Sequence, residues 1–341
     1  MTDSAPVTLP SSDLLSAEFN RHRAEYVVQS LATLVGRLPQ RTATKAEWDR
    51  FDSWLDEHYN AQPLAKALKL YPVDVAETRI AGVRVGVVTP RAGVTKANEG
   101  RVLIHLHGGG FVFHRGLNNG LLEAVPVAAI GRVKIITLDY RQAPFHRYPA
   151  ASEDVEAVYR EVLSQHEPAQ IGIFGSSAGA VLACQALARF QSVGLPVPAA
   201  VGVFCMAPPP PFPSVPPWES GWGESGFWFT GDAQPSEYDR RVWQAIQWYM
   251  EEADSDDPLA YPGMSDQILS KFPPTLFLSG TRDYAVSTVL AAHARFLRLG
   301  VQSSLYVMEA VGHTEHLAAV GTPEAHGAHE HTARFFNQTL A

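Results

Sequence analysis

The stretch Phe174-Gly175-Ser176-Ser177-Ala178-Gly179-Ala180 places one serine between two glycines where the sequence pattern changes. The apolar run 170–174 predicts a short buried strand, and residues 181–189 predict a helix. Ser177 would then lie on the turn between them, in a strained backbone conformation that small neighbours tolerate. Its hydroxyl would project from the end of the strand, beside the positive end of the helix. A glycine- and serine-rich connector without any function has the same pattern, so the significance of Ser177 depends on its partners.

Strand and helix patterns alternate along most of the chain. Alternation of this kind predicts a parallel sheet with helices on both faces, because right-handed crossovers place them there. An antiparallel hairpin with its turn at Ala81-Gly82 comes first. The predicted fold class is therefore α/β, with a mostly parallel central sheet of about eight strands flanked by helices. The strands after the hairpin are predicted at 102–106, 133–138, 170–174, 200–204, 275–278 and 304–308, and the helices at 117–129, 152–163, 181–189, 287–299 and up to about 340.

Two segments stand apart from this alternation. Residues 1–70 predict amphipathic helices, with capping-box spacing at Thr44 and Glu47 before an apolar face. Residues 207–262 are rich in proline and aromatic side chains and predict an insertion over the sheet. The predicted organisation is thus an N-terminal helical segment, 1–70, and a core, 71–341, that carries the insertion.

Composition narrows the class of protein. The 341 residues are 46% hydrophobic and carry a formal net charge of -8, which argues against a nucleic-acid partner. The two cysteines lie in apolar runs, so we expect no disulfide framework and a reducing compartment. We see no apolar run long enough to span a bilayer and no secretory leader pattern, which predicts a cytoplasmic protein. The sequence allows a homo-oligomer.

Two residues are candidates for activating Ser177. A serine hydroxyl is a poor nucleophile at neutral pH and needs a base together with a group that orients the base. Asp283 and His313 each follow a predicted strand, and reactive groups of a parallel sheet gather at the carboxyl ends of its strands. A loop carboxylate making a local turn and a solvated loop histidine are the alternatives. Asp257 is a rival carboxylate, but it follows the insertion and not a strand.

A glycine run follows the first parallel strand, in His107-Gly108-Gly109-Gly110. Backbone N–H groups without side chains there would stabilise the oxyanion of a tetrahedral intermediate. We expect those of Gly108 and Gly109 to point at the substrate, together with the N–H of Ala178. A phosphate-binding loop is the alternative, and the sequence lacks its lysine motif.

As a set, these motifs resemble the hormone-sensitive-lipase-like family of α/β-hydrolase carboxylesterases, from about Leu103 to His313. The resemblance implies that Ser177 is the nucleophile, His313 the general base and Asp283 its orienting partner. It also implies that the N-terminal helices and part of the insertion form a helical cap over the acyl and alcohol pockets. The motifs, in order, are His107-Gly108-Gly109-Gly110, Asp139-Tyr140-Arg141-Gln142-Ala143-Pro144, Gly175-Ser176-Ser177-Ala178-Gly179, Asp283 and His313.

Three features depart from the family pattern. Ser176 and Ala180 replace the second and last residues of its elbow motif, where Asp or Thr and Gly are usual. Phe145 stands where the family often has glutamate, which removes a carboxylate near the site. His114 stands where the family commonly has glycine.

The expected reaction is hydrolysis of a small to medium hydrophobic carboxylic ester through an acyl-enzyme on Ser177. We expect no metal or organic cofactor. A lactonase, an amidase or a dehydratase could use the same residues, and a ligand-binding protein could share the fold.

Two groups of histidines are weak candidates for a metal site. One is the pair His313 and His316, and the other is the cluster at 326–331, which lies in a helix that we expect to be solvated. The aromatic insertion predicts a substrate pocket lined by Trp218, Trp222, Phe227 and Trp228.

Overall fold

The computed structural model describes residues 13–23, 37–209 and 237–341. Within these residues, eight strands form one sheet, so the predicted α/β class with a sheet of about eight strands is confirmed. The strands are β1 Val73–Ile80, β2 Val83–Pro90, β3 Val102–Leu106, β4 Lys134–Asp139, β5 Ile171–Ser176, β6 Ala200–Phe204, β7 Thr275–Arg282 and β8 Ser303–Gly312.

Helices connect most of the strands. The α-helices are α1 Lys45–Leu55, α2 Ala61–Leu70, α3 Asn118–Gly131, α4 Ala150–Leu163, α5 Ala178–Ser192, α6 Glu237–Gln247, α7 Asp266–Leu269, α8 Val286–Arg298, α9 Glu315–Ala318 and α10 Pro323–Thr339. A π-helical turn, Asp56–Asn60, joins α1 to α2, and short 3-10 helices lie at Lys96–Asn98, Pro168–Gln170 and Pro262–Met264.

The sheet has the order β1-β2-β4-β3-β5-β6-β7-β8. The β1–β2 hairpin is antiparallel, and β2 also pairs antiparallel with β4. All remaining pairs are parallel; Ile104 of β3, for example, lies opposite Ile136 and Ile173. The carboxyl ends of β3, β5, β7 and β8 therefore meet at one edge of the sheet.

Two buried cores cover the two faces of the sheet. Alternate residues of one strand enter different cores, as Ile104 and Leu103 do in β3. The first core includes α1, α4 and α5, and the second includes α3 and α10. Cys184 and Cys205 are buried, free thiols in these cores, as predicted.

The N-terminal segment rests on the sheet domain. The capping box at α1 is confirmed, since Thr44 and Glu47 bond to each other's backbone N–H. Trp48, Phe51 and Leu55 form the buried face of α1. The earlier predicted helix is described only at residues 17–23, and the rest of it lies outside the described residues.

Element boundaries differ from the sequence prediction around Ser177. The strand β5 continues to Ser176, and α5 begins directly at Ala178, three residues earlier than predicted. The turn thus consists of Ser177 alone. Residues 178–180 are helical although they show no apolar periodicity, because the Ser177 carbonyl oxygen already accepts from the N–H groups of Ala180 and Val181.

Candidate active site

Ser177 lies at a sharp turn between β5 and α5. Its φ is +56° and its ψ is -120°, a conformation that is strained for a residue with a side chain. Its backbone N–H donates to the carbonyl oxygen of Phe204 at 2.8 Å, which holds the turn against β6. The fold therefore keeps the serine in a fixed and unusual backbone conformation.

The glycines on either side of Ser177 are required by close packing. A Cβ atom at Gly175 would lie 2.4 Å from the carbonyl oxygen of Leu106, and one at Gly179 would lie 1.9 Å from the same atom. Side chains at both positions would collide with the end of β3. The spacing of the motif thus follows from the contact between the turn and the neighbouring strand.

The structure brings Ser177, Asp283 and His313 together. Asp283 follows β7 and His313 follows β8, so both side chains reach the same edge of the sheet as the turn. His313 Nε2 is 2.9 Å from Ser177 Oγ, and His313 Nδ1 is 2.9 Å from Asp283 Oδ1. The three side chains form a continuous hydrogen-bonded chain.

Asp283 is fully buried and is held by several donors. Its Oδ2 accepts from the Ser279 hydroxyl at 2.8 Å, and its Oδ1 accepts from the backbone N–H of Ala285 at 2.9 Å. Burial acts to raise the pKa of Asp283, but the facing His313 and these hydrogen bonds outweigh it and lower the pKa below its ordinary value. The carboxylate is thus ionised at neutral pH, and it accepts a hydrogen bond from the Nδ1–H of His313.

The glycine run lies beside the turn. A Cβ atom at Gly108 would lie 3.1 Å from the Ser176 carbonyl oxygen and 3.3 Å from Ser177 Cβ. Gly109 and Gly110 have φ values of +115° and +60°, which favour glycine. Ala178 is the first residue of α5, and the N–H groups of a first helical turn have no carbonyl partner within the helix. The structure thus places Gly108 and Ala178 next to Ser177, and Gly109 follows directly in the glycine run.

His107 holds the glycine run in place. Its Nδ1–H donates to the carbonyl oxygen of Gly108 at 2.6 Å, and its Nε2 accepts from the Gln142 side-chain amide at 3.3 Å. Its ring stacks on Tyr140 with ring centroids 4.5 Å apart. Burial lowers the pKa of the imidazole to about 4, so His107 is neutral. Because the C=O and N–H of a trans peptide point in opposite directions, fixing the Gly108 carbonyl also fixes the N–H of Gly109.

Ser176 belongs to a second, buried chain beneath the turn. Its hydroxyl donates to the Glu123 carboxylate, with Oγ to oxygen distances of 2.9 and 3.0 Å. His105 Nε2 lies 2.9 Å from Glu123 Oε2, and His105 Nδ1 lies 2.9 Å from Thr137 Oγ1. All four side chains are buried. Ser176, which departs from the family pattern, is thus part of an internal polar network.

The other two departures, Phe145 and His114, lie beside residues that contact the N-terminal segment. Phe145 is 41% exposed and carries the Arg115 guanidinium over its ring, 4.8 Å from the centroid. Arg115 Nε also donates to Asp52 of α1 at 2.6 Å. His114 contacts the Asn60 side chain at 3.4 Å, and burial lowers its pKa to about 4. His114 thus lies between Gly109 and the N-terminal segment, and Phe145 contacts that segment's partner Arg115.

Tyr284 is a further group at the site that the sequence pattern does not reveal. Its ring lies against the His313 imidazole, with centroids 4.4 Å apart, and its hydroxyl oxygen is 3.4 Å from His313 Nε2. The only sequence signal is its position directly after Asp283.

The rival residues have other partners. The oxygens of Asp257 accept from the backbone N–H of Leu259 at 2.9 Å and from the Tyr148 hydroxyl at 3.2 Å. His316 and His329 are buried with ring centroids 6.1 Å apart, so the expectation of a solvated helix is wrong for His329, because α10 packs against α3. Across the described ranges, no group of three or more His, Cys, Asp or Glu side chains is close enough to hold a metal ion.

The predicted pocket residues Trp218, Trp222, Phe227 and Trp228 lie outside the described residues. A cavity of about 320 Å³ opens beside Arg115, and its lining includes Asp52, Glu77 and Arg84. None of Ser177, Asp283 and His313 lines this cavity. In the part of the chain that the structure describes, no helix has the length and apolar character to cross a membrane.

Comparison with known proteins gives a consistent result. A family model described as alpha/beta hydrolase fold matches residues 103–317. An acetyl-hydrolase of Streptomyces hygroscopicus is 29% identical over 244 residues, which is 70% of this chain and 75% of the relative. The crystal structure of the esterase E25 matches with a TM-score of 0.80 at 28% identity, covering 100% of this chain and 99% of that one.

A second solved structure is that of an esterase from the bacterial hormone-sensitive lipase family. It matches with a TM-score of 0.68 over 88% of this chain and all of its own, and at 23% identity it shows the fold alone. The chain belongs to the α/β-hydrolase fold family, and its resemblance to the hormone-sensitive-lipase-like carboxylesterases is confirmed.

Proposed function

We propose that this protein hydrolyses carboxylic esters of small to medium hydrophobic substrates through an acyl-enzyme on Ser177. The hydrogen-bonded chain from Ser177 through His313 to Asp283 is the observation that carries the proposal. Its relatives named as an acetyl-hydrolase and an esterase support the reaction class. The name of the first favours a short acyl group.

The mechanism follows from the geometry. His313 Nε2 takes the proton of the Ser177 hydroxyl as Oγ attacks the ester carbonyl carbon. The ionised Asp283 stabilises the resulting imidazolium through its bond to Nδ1. The N–H groups of Gly108, Gly109 and Ala178 stabilise the oxyanion. His313 then protonates the departing alcohol, and a water molecule activated by the same nitrogen cleaves the acyl-enzyme.

We further propose that residues 1–70 and part of 207–262 form a cap over the acyl and alcohol pockets. Contacts between the two segments support this: the rings of Trp48 and Trp248 lie 6.0 Å apart, and the Arg241 side chain donates to the Leu38 carbonyl at 2.5 Å. Ile246 also lies directly over Gly110. The four aromatic pocket residues stay a prediction.

The remaining expectations from the sequence also stay predictions. They are a cytoplasmic location, a small-molecule ester as the partner, the absence of a nucleic-acid partner, independence from cofactors, and a homo-oligomer. Lactone and amide hydrolysis are the alternative reactions of the same three groups.

Turnover of p-nitrophenyl acetate and p-nitrophenyl butyrate tests the proposed function. We expect the wild-type protein to release p-nitrophenol, and Ser177→Ala to lower kcat by at least about 10⁴-fold, because the nucleophile is lost. Both proteins should show the same unfolding midpoint within a few degrees. If wild-type protein is as inactive as the variant on esters, lactones and amides, a ligand-binding role on this fold replaces the proposal.

A further inference from the structure

The loop that carries His313, residues 310–315, is held in a strained conformation. Ala310 and Thr314 have φ values of +60° and +55°, in the left-handed region that residues with a side chain rarely adopt. Residues keep such a conformation only where the surrounding structure holds them in it. The distance of 2.9 Å between His313 Nε2 and Ser177 Oγ therefore depends on the contacts that this loop makes with the rest of the chain.

Glu315 supports the loop from its carboxyl-terminal side. It is the first residue of α9, and its carboxylate turns back to accept from the backbone N–H of Gly312 at 2.7 Å. A Cβ atom at Gly312 would lie 3.0 Å from Glu315 Cδ, so glycine permits this close approach. The carboxylate thus fixes the residue directly before His313.

Arg23, in the N-terminal segment, joins the two ends of the loop. Its Nε and Nη2 donate to the two carboxylate oxygens of Glu315 at 3.0 and 2.6 Å, and Nη2 also donates to the carbonyl oxygen of Ala310 at 2.8 Å. The side chains of Arg23 and Glu315 are only 4% and 8% exposed. A two-point contact between guanidinium and carboxylate fixes the orientation of both groups. A residue 292 positions earlier in the chain thus closes a ring around the loop of His313.

A second polar contact of the N-terminal segment is made to a different element. The backbone N–H and the hydroxyl of Ser16 donate to the Glu324 carboxylate at 2.5 and 2.7 Å. Glu324 lies in the first turn of α10. Phe19, between the two contacts in sequence, is fully buried in the second core. Losing either contact should loosen the segment, but Arg23 is the one that bonds to the loop of His313.

We propose that Arg23 is a positioning residue that, acting through Glu315, holds His313 within reach of the nucleophile. The inference rests on the proposed acyl-enzyme mechanism, in which His313 is the general base. Without the guanidinium, the Glu315 carboxylate would be buried without its counter-charge and would turn away from Gly312 toward water. Proton transfer requires the two heavy atoms to lie within about 2.6–3.2 Å, so a displaced His313 would react more slowly.

Ester turnover by Arg23→Gln is the first test. We expect kcat on p-nitrophenyl acetate to fall by roughly 10²-fold, because His313 acts in both acylation and deacylation. The value of kcat/KM should fall equally and KM should stay within about twofold of wild type, since a residue as buried as Arg23 does not contact substrate. Circular dichroism at the assay temperature shows whether the variant is folded.

A double variant shows whether Arg23 acts through Glu315. Glu315→Gln alone should lower kcat as Arg23→Gln does. If the two side chains form one unit, Arg23→Gln/Glu315→Gln loses no more of kcat than the more impaired single variant. Losses that multiply would mean that the two residues act independently, and would overturn the inference.

Glu324→Gln is the matched control, because it makes the same substitution at the other contact of the N-terminal segment. We expect it to loosen the segment while kcat stays within about twofold of wild type. A loss of kcat equal to that of Glu315→Gln would show that the segment acts as a whole, and would contradict a specific role for Arg23.

The bond between His313 Nδ1–H and Asp283 gives a readout that does not depend on turnover. A proton shared between an imidazole and a buried carboxylate resonates far downfield of the backbone amide protons, and His313→Ala identifies the signal by removing it. We expect the signal in wild-type protein and in Glu324→Gln. In Arg23→Gln it should be lost through exchange with water.

A wild-type value of kcat together with an unchanged downfield signal in Arg23→Gln would overturn the inference. If this variant does not fold, Arg23→Met/Glu315→Leu replaces the buried ion pair by apolar side chains, and the same losses are required of it. A wild-type protein that turns over no ester would overturn the proposed function. The downfield signal still decides in that case whether Arg23 positions His313.

Discussion

The turn after β5 holds two neighbouring serines, and the structure surrounds them in opposite ways. Ser177 is partly exposed and bonds to a histidine that in turn bonds to a carboxylate. Ser176 is fully buried and bonds directly to the Glu123 carboxylate, which in turn contacts His105. The two chains contain the same types of side chain in a different order.

The order decides what each chain can do. An imidazole between hydroxyl and carboxylate can take the serine proton while the carboxylate balances the new charge. A carboxylate that accepts a hydrogen bond directly from the serine hydroxyl is a much weaker base than an imidazole, and it only fixes the serine in place. Burial also keeps substrate away from Ser176. We therefore assign the Ser177 chain to chemistry and the Ser176 chain to support of the turn, as parts of the same proposal.

The largest effect should come from removing the carboxylate of the Ser177 chain. We expect Asp283→Ala to lower kcat by about 10⁴-fold, because His313 loses the group that fixes its tautomer and stabilises its charge. The measurement is kcat on p-nitrophenyl acetate, with circular dichroism to show that the fold is retained. A loss of less than about tenfold would mean that another carboxylate orients His313.

The matched change in the buried chain should act on stability instead. Glu123→Ala leaves the Ser176 hydroxyl and the His105 N–H buried without their acceptor, which should cost about 3 kcal/mol of the free energy of unfolding. Because the Ser177 chain remains intact, we expect kcat to fall by less than about tenfold. Urea denaturation and ester turnover measure the two quantities. A fall in kcat as large as that of Asp283→Ala would remove the distinction between the chains.

Much of this arrangement could be predicted from the sequence, because it follows from periodicity. Alternating strand and helix patterns predict the parallel sheet, and the carboxyl ends of parallel strands share one edge. The placement of Asp283 and His313 beside Ser177 follows from these two facts. The family motifs then suggest the role of each group.

The buried chain could not be predicted in the same way. Glu123 lies 53 residues before Ser176, within an apolar helical run, and only the packing of α3 on the sheet brings the two together. A charged residue inside such a run signals a buried partner but does not identify it. The contact of Tyr284 with His313 could not be predicted either, since it depends on the turn after β7. The pocket aromatic residues stay a prediction, because they fall outside the described residues.

The smallest predicted effect is a loss of folding stability at low pH, caused by buried histidines that are neutral in the folded protein. Burial lowers the pKa of His107 to about 4, and lowers those of His316 and His329 as well. The unfolded chain, with histidine pKa values near 6.5, therefore binds more protons than the folded chain below that pH. Stability from these groups is full above about pH 6.5 and is lost progressively as the pH falls toward about 4.

Urea denaturation at several pH values between 7 and 4.5 measures this loss. We expect the free energy of unfolding to fall by about 2 kcal/mol or more over that range. His107→Asn should reduce the dependence by removing one of the buried imidazoles. A free energy that is constant between pH 7 and 4.5 would contradict neutral histidines in the folded protein.

Covalent labelling tests the central claim, that Ser177 reacts and Ser176 supports, most directly. Wild-type protein, Ser177→Ala and Ser176→Ala are treated with an organophosphonate ester, and intact-mass and fragment mass spectrometry locate the adduct. We predict one adduct on Ser177 in wild-type protein, none in Ser177→Ala, and an adduct still on Ser177, formed more slowly, in Ser176→Ala. An adduct on Ser176, or equal labelling of Ser177→Ala, would contradict the account.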